Sequence, residues 1–437
     1  MQHDGSCSSP SSETSLQDIE HFLRDAITQL VPEPLGDGPG RPSILPALCL
    51  WTGLVVCVIR GFRHQRDLWR LLTHGGLWHY PRFPLSDEAI YDRLERGGTV
   101  PLQYLFVQVS AVLATRLAPY AASDLAPFAT SVVAVDETTL DRVARRLPAL
   151  RGRPTEDHLG GTLAGVFDLR LQQWRTLAYR TDWQQNEKVA ARSLVADLPP
   201  GSLILTDLGY FSFAWFDDLT DAKQWWISRL RAKTSVEPIH TFYHQGTTSD
   251  RLVWLGAHRA DRAKHAVRLI EFQVGTAHYR YITNVLDPAV LSMVEVARLY
   301  ARRWDIEMAV NLIKTQVGLH LLWSAKPVLI EQQIIAVLLI AQCLQALRVE
   351  IAHRAGVDPF EVSMPLMIRY LPEFARLGHD PIEAFLTNAR EVGFIRPSTR
   401  TVIRAPQVPD HDSLPAPPDL VLEREPRYAH RNCLSRR

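Results

Sequence analysis

Three acidic residues carry the chemistry worth weighing. Asp136 closes the β-branched run "SVVAVD", Asp207 closes the short apolar run "SLILTD", and Glu307 sits in "LYARRWDIEMAVNLIK", Leu299 to Lys314, which has the period of a helix. Singly each is ordinary, because an Asp after a strand caps a turn and a Glu on a helix faces water. Together they are not, because ends of neighbouring strands lie about 5 Å apart and two such Asp residues can meet. A helix packed through Leu299, Ile306, Val310 and Ile313 would aim Glu307 at the same point. Three gathered carboxylates repel unless cations neutralise them. Oxygen ligands with no Cys or His among them suit Mg²⁺ or Mn²⁺. Two such ions clamp an in-line phosphoryl displacement, activating the attacking oxygen and stabilising the leaving one.

The rest of the helical stretch fits that chemistry. At about 100° per residue, Arg303, Glu307 and Lys314 fall roughly 60°, 20° and 40° from Tyr300, in one row. Arg303 and Lys314 would hold phosphates, one as a fork and one as a point charge. Tyr300 could hydrogen-bond a phosphate oxygen or pack on a sugar or base.

Period and breakers predict the elements that position these groups. Residues 1–15 are Ser-rich and expected to be disordered; residues 16–127 read as helical, with Ser86 as the N-cap of "SDEAIYDRLERGG". Strands are expected at "SVVAVDETT", "TLAGVFDLR", "WRTLAYRTD", "SLILTD" and "QWWISRL", with a helix at "NEKVAARSLVADL". Residues 231–290 alternate, and "RLVWLGAHR", "HAVRLIEFQV" and "HYRYITNV" read as strands of an insertion. More helices follow Glu307. Residues 405–437, Pro-rich and then Arg-rich, are expected to be a flexible tail. The expected class is α/β: a mixed sheet flanked by helices, with a β-strand insertion and helical N- and C-terminal regions. Its divisions are 1–15, 16–127 (DNA-binding), 128–230 (core, first part), 231–290 (insertion), 291–350 (core, second part), 351–404 (helical) and 405–437.

Bulk numbers exclude several classes. In 437 residues, 48 Lys and Arg face 47 Asp and Glu, a net charge of +1, so any anionic partner must be held by local patches. Five cysteines, with no C-x-x-C and no Cys/His zinc spacing, favour a reducing, cytoplasmic setting. The N-terminus has no basic region followed by an apolar core, which argues against a signal peptide. The apolar run Ile44–Ile59 has 16 residues and contains Pro46, short of the ~20 needed to span a bilayer. It and Val328–Leu347 read as buried core helices, and no membrane partner is expected.

At this point the sequence resembles the DDE transposases of bacterial insertion sequences, in the insertion-sequence-four group. That group's motif is Y-x2-R-x3-E-x6-K, matched by Tyr300, Arg303, Glu307 and Lys314 without change of spacing. "VVAVDETT" and "LILTDLGYFS" resemble the strands of the first and second Asp, and "YITNV" before "LYARRWDIE" resembles the lead-in to the Glu helix. The likeness covers about residues 128–350. It implies an RNase H-like catalytic core, with 71 residues from Asp136 to Asp207 and 100 from there to Glu307, room for the insertion. It implies metal binding by Asp136, Asp207 and Glu307, and contacts from Tyr300, Arg303 and Lys314 to terminal phosphates. It implies two Mg²⁺ or Mn²⁺ ions, cut-and-paste transposition through a hairpin, inverted-repeat and target double-stranded DNA as partners, a homodimer in the synaptic complex, and a bacterial, nucleoid-associated location. Trp254, Tyr279 and Tyr281 are the aromatics on which such a mechanism could stack a flipped base; cross-strand packing is their plainer use.

A local charge excess agrees with DNA. Lys223 to Arg268 holds nine Lys or Arg against three Asp or Glu, with His240, His244, His258 and His265 besides. Arg229, Arg259, Arg262 and Lys264 are its expected phosphate contacts, against the alternative of a solvated face. Two rival functions remain: an RNase H-like nuclease or resolvase that cuts without joining, and a catalytically silent domesticated DNA-binding protein.

Overall fold

The computed structural model describes residues 44–78, 80–141, 159–181, 187–256, 261–319, 322–398, 406 and 415–428. In chain order its helices and strands are α1 (Ala47–Ile59), α2 (Arg66–Arg70), α3 (Asp87–Gly97), α4 (Val100–Leu117), β1 (Val132–Asp141), β2 (Leu159–Asp168), β3 (Gln173–Arg180), α5 (Glu187–Val195), β4 (Leu203–Thr206), α6 (Phe213–Asp221), β5 (Trp225–Arg229), β6 (Val236–Gln245), β7 (Thr248–Leu255), β8 (Val267–Val274), β9 (Ala277–Thr283), α7 (Met293–Arg302), α8 (Trp304–Asn311), α9 (Pro327–Ala355), α10 (Met364–Arg376) and α11 (Pro381–Leu386). The chain divides into two compact units, one of residues 1–120, 140–161 and 310–400 and the other of 121–139, 162–309 and 401–437.

The first unit is helical. Its centre is α9, whose residues from Leu329 to Ala352 are almost all buried, and α1 and α4 pack on it. The run that invites a membrane reading is thus a core helix: in α1 every residue from Cys49 to Val58 is buried. Among the buried polar groups on α9, the Gln332 amide donates to the carbonyls of Leu94 and Gly98, both at 2.7 Å. Ser86 caps α3 as expected, accepting from the N–H of Ala89 at 3.2 Å, and the chain leaves through Gly98 at φ +63°. Cys49, Cys57 and Cys343 are free thiols; burial pushes that of Cys49 up to about 12.

The second unit is a nine-stranded mixed sheet in the order β3-β2-β1-β4-β5-β9-β8-β7-β6, flanked by helices. Its first five strands form an RNase H-like core. β1, β4 and β5 run parallel, β1 against β4 from Val132↔Leu203 to Val135↔Thr206. Parallel strands buried on both faces read as continuous apolar runs, and Val132–Val135 and Leu203–Thr206 are wholly buried. Aromatics of α6 cover one face; the rings of Phe216 and Trp226 stack at 4.2 Å.

Three features go beyond the sequence reading. The insertion strands do not form a sheet of their own, because β9 pairs antiparallel with β5 and carries the sheet on through β8 and β7 to β6. β6 is a strand that the sequence pattern does not predict, since "VEPIHTFYHQ" contains Pro238. It lies at the sheet edge with its register shifted beside that proline, where a missing N–H is tolerated. Part of the tail pairs with the strand region. Residues 415–428 are described, with Glu423 and Arg427 bridged to His265 and Arg262. The Ser-rich N-terminus, the first part of the tail, Arg259 and the last nine residues lie outside the described residues.

Candidate active site

The register of β1 and β4 places the two Asp residues. Val135 pairs with Thr206, so Asp136 and Asp207 follow at the same level of adjacent strands. They differ in setting: β1 continues past Asp136 to Asp141, whereas β4 stops at Thr206 and Asp207 opens a short 3₁₀ turn. The Asp136 carboxylate accepts from the N–H of Glu137 at 2.8 Å. Glu137 is itself paired with Arg180.

Glu307 lies on α8, which follows directly on α7, a helix that starts and docks firmly. Ser292 and Glu295 form a reciprocal capping box ahead of α7, a signal the sequence carries as S-x-x-E. α7 buries Val296, Ala297, Leu299 and Tyr300. The hydroxyl of Tyr300 donates to the carbonyl of Thr206 at 3.2 Å, which ties this helix to the strand end that presents Asp207. Burial pushes the Tyr300 phenol well above its usual value, so the group stays a neutral donor. Asp305, fully buried, accepts from Gln172 at 3.0 Å and is ion-paired with Arg302 at 3.1 Å, anchoring α8 to the β2–β3 turn. Spacing alone singles out neither Gln172 nor Asp305, because the residues that meet are 133 apart.

The row expected on one regular helix is broken in two places. Arg303 lies between α7 and α8, and the bond from its N–H to the carbonyl of Tyr300 spans three residues rather than four, a tightened turn. Lys314 falls in a π-helical turn, Leu312–Gln316, in the helical unit. A tight turn followed by a wide one shifts the angular phase, so 100° per residue does not hold from Tyr300 to Lys314.

Arg303 is the hub of what does assemble. Its side chain is only 11% exposed; Nη2 donates to Glu307 at 2.7 Å, and Nη1 lies 4.0 Å from the Asp136 carboxylate. Nη1 is buried and makes no hydrogen bond among the described residues. Burial opposes the guanidinium charge, but Tyr300, Glu307 and Asp207 together hold it above its usual value. Asp136 is raised too, to about 6, by burial and by the charges of Glu307 and Asp207, against the Glu137 N–H and Arg303. Asp136 thus feels the charges of both other acids, and Arg303 those of Glu307 and Asp207. Among the described residues no group of three or more acid, His or Cys side chains is gathered as a ready metal shell.

The other expected contacts are dispersed. Arg229 is exposed at the end of β5. Lys264 is hydrogen-bonded to Asp221 at 2.6 Å, which raises its pKa. Arg262 is exposed. Tyr281 is buried, 4.8 Å from the ring of Tyr300, with Tyr279 and then Phe272 stacked beyond it. Trp254 carries the guanidinium of Arg424 over its ring at 4.6 Å. All three aromatics are thus used in packing.

Residues 127–343 match the family model described as "Transposase DDE domain". The chain therefore carries a DDE-family transposase domain. No curated protein matches it. Among solved structures it is similar to the cryo-EM structure of a piggyBac transposase synaptic complex with hairpin DNA, at 11% identity and a TM-score of 0.38, over 89% of this chain and 84% of that one. Values that low carry nothing about the function of this chain.

Proposed function

We propose that the protein is the transposase of an insertion sequence, of the insertion-sequence-four group, which cuts DNA at inverted-repeat ends and joins the ends to a target. What supports this reading is Arg303 placed between Glu307, at 2.7 Å, and Asp136, at 4.0 Å, with Asp207 following the strand residue paired beside Asp136, in a DDE-family domain. The donor set fits Mg²⁺ or Mn²⁺, since it is all carboxylate, and a cation would relieve Asp136, which burial and neighbouring acids raise. Asp136, Asp207 and Glu307 would hold the ions. When bound, two ions would supply a deprotonated attacking oxygen and neutralise the leaving one.

The protein's own contribution is positional. Arg303, with one buried Nη free of any hydrogen bond among the described residues, is poised to fork onto a phosphate beside the acids. Tyr300 holds the Glu helix against the Asp207 strand, and Asp305 with Gln172 stops the helix from rotating. Joining is a transesterification and needs no ATP. Two ends in one complex imply a homodimer on DNA.

The test is incubation of the full chain with Mg²⁺ and DNA carrying the repeats that flank its gene. Excised and joined products are expected. Asp136→Asn, Asp207→Asn and Glu307→Gln should each lose at least about a hundredfold in cleavage, from several kcal/mol of lost charge stabilisation, and keep binding to end DNA. Cleavage without joined products would make the protein a nuclease instead.

A further inference from the structure

The docked part of the tail suggests a site that the triad does not use. Residues 262–266 and 422–427 run antiparallel: the N–H of Arg262 donates to the carbonyl of Arg427 at 2.8 Å, and the N–H of Arg427 returns to Arg262 at 3.0 Å. This is a hydrogen-bonded pair, with the two Cα atoms about 5.5 Å apart and both side chains on one face. Both residues are exposed, and neither has an acidic partner among the described residues. Like charges directly opposite on paired strands are destabilising.

The pairing is nevertheless firmly built. Arg424 donates to the carbonyls of Ala263 at 3.0 Å and Leu255 at 2.6 Å, and lies over Trp254. Tyr428 donates to Asp217 at 2.6 Å; the same buried carboxylate accepts from the N–H groups of Lys264 and His265. Glu423, the acid of the bridged strand, is turned to His265 at 3.6 Å. Three side-chain anchors thus hold the paired backbone that presents Arg262 and Arg427 on one face. The charge of Arg262 is also felt by Arg424.

We propose that Arg262 and Arg427 form a phosphate clamp for the DNA backbone, completed only when the tail docks. An anion between the two groups turns their repulsion into two charge-assisted contacts, and a phosphodiester is the anion that a guanidinium pair fits best. The clamp rests on the DNA reading above and adds a tail residue, Arg427, to the DNA-binding surface. It needs no base contacts, so it holds DNA without reading sequence.

The experiment measures binding of the full chain to a duplex of arbitrary sequence across a range of KCl concentrations. Arg262→Gln with Arg427→Gln should lower the slope of log K against log salt by up to about 1.8, that is ~0.9 for each phosphate no longer neutralised. Arg262→Lys with Arg427→Lys should keep most of the slope, since the charges remain. An unchanged slope in the Gln pair would overturn the clamp while leaving the transposase reading intact. Equal reductions in the Gln and Lys pairs would also overturn it, by showing that the residues act through packing. A wild-type chain that does not bind DNA at all would sink both readings.

Discussion

Asp250 on β7 and Asp136 on β1 are carboxylates set into strands of the same sheet, and their surroundings differ in kind. Asp250 is 2% exposed and faces Arg268, which is fully buried. The two are joined through both carboxylate oxygens, Nε to Oδ1 at 2.7 Å and Nη2 to Oδ2, and Arg268 also donates to the carbonyl of Leu291. Nothing is left over for a ligand. Asp136 receives one backbone N–H, sees its nearest guanidinium only at 4.0 Å, and feels the charges of two further acids. The first arrangement is what a fold does with a charge it must bury. The second leaves a charge unsatisfied where a reaction can use it, the usual place for a strongly shifted carboxyl.

The sharpest way to break that comparison is to unpair Asp250. Arg268→Met keeps much of the side chain's volume and leaves a carboxylate buried without a partner, a change worth about 3–5 kcal/mol. Urea unfolding should show a loss of that size. A loss under about 1 kcal/mol would mean that the pair does not hold the sheet together.

Asp136→Asn should do the reverse and stabilise the protein. The folded carboxyl titrates at about 6, above its ordinary value of 3.8. Below pH ~4 both states are protonated and the group contributes nothing. As pH rises from about 4 to 6 the folded state bears the cost of an ionised carboxylate, which levels off near 3 kcal/mol. The Asn variant should therefore match wild type at pH 4 and exceed it at pH 7, read by unfolding at both values. A difference that does not change with pH would remove Asp136's burial as the cause. On the metal reading proposed above, Mg²⁺ at pH 7 would stabilise wild type and not the variant.

Arg303→Lys has the smallest expected effect. It keeps the charge and loses the fork that reaches Glu307 with one nitrogen and Asp136 with the other. End cleavage should fall about tenfold, ~1.4 kcal/mol, with little change in non-specific DNA binding. Equal losses in both assays would return Arg303 to the role of a general cation.

What the sequence alone determined is what local pattern encodes. Apolar runs closed by Asp136 and Asp207, and a helical period around Glu307, are enough to nominate three acids, because burial and helical phase are written in short windows. The cap at Ser86 and the core helices are legible for the same reason. The tertiary structure decided what depends on register and on residues far apart in the chain. Whether Tyr300 faces a ligand or Thr206, which partner Asp305 finds, and that β6 can hold a proline because it is an edge are settled by which strands lie side by side. So is the meeting of Arg262 with Arg427, 165 residues further on, where two strands pair through backbone hydrogen bonds that are blind to side-chain charge.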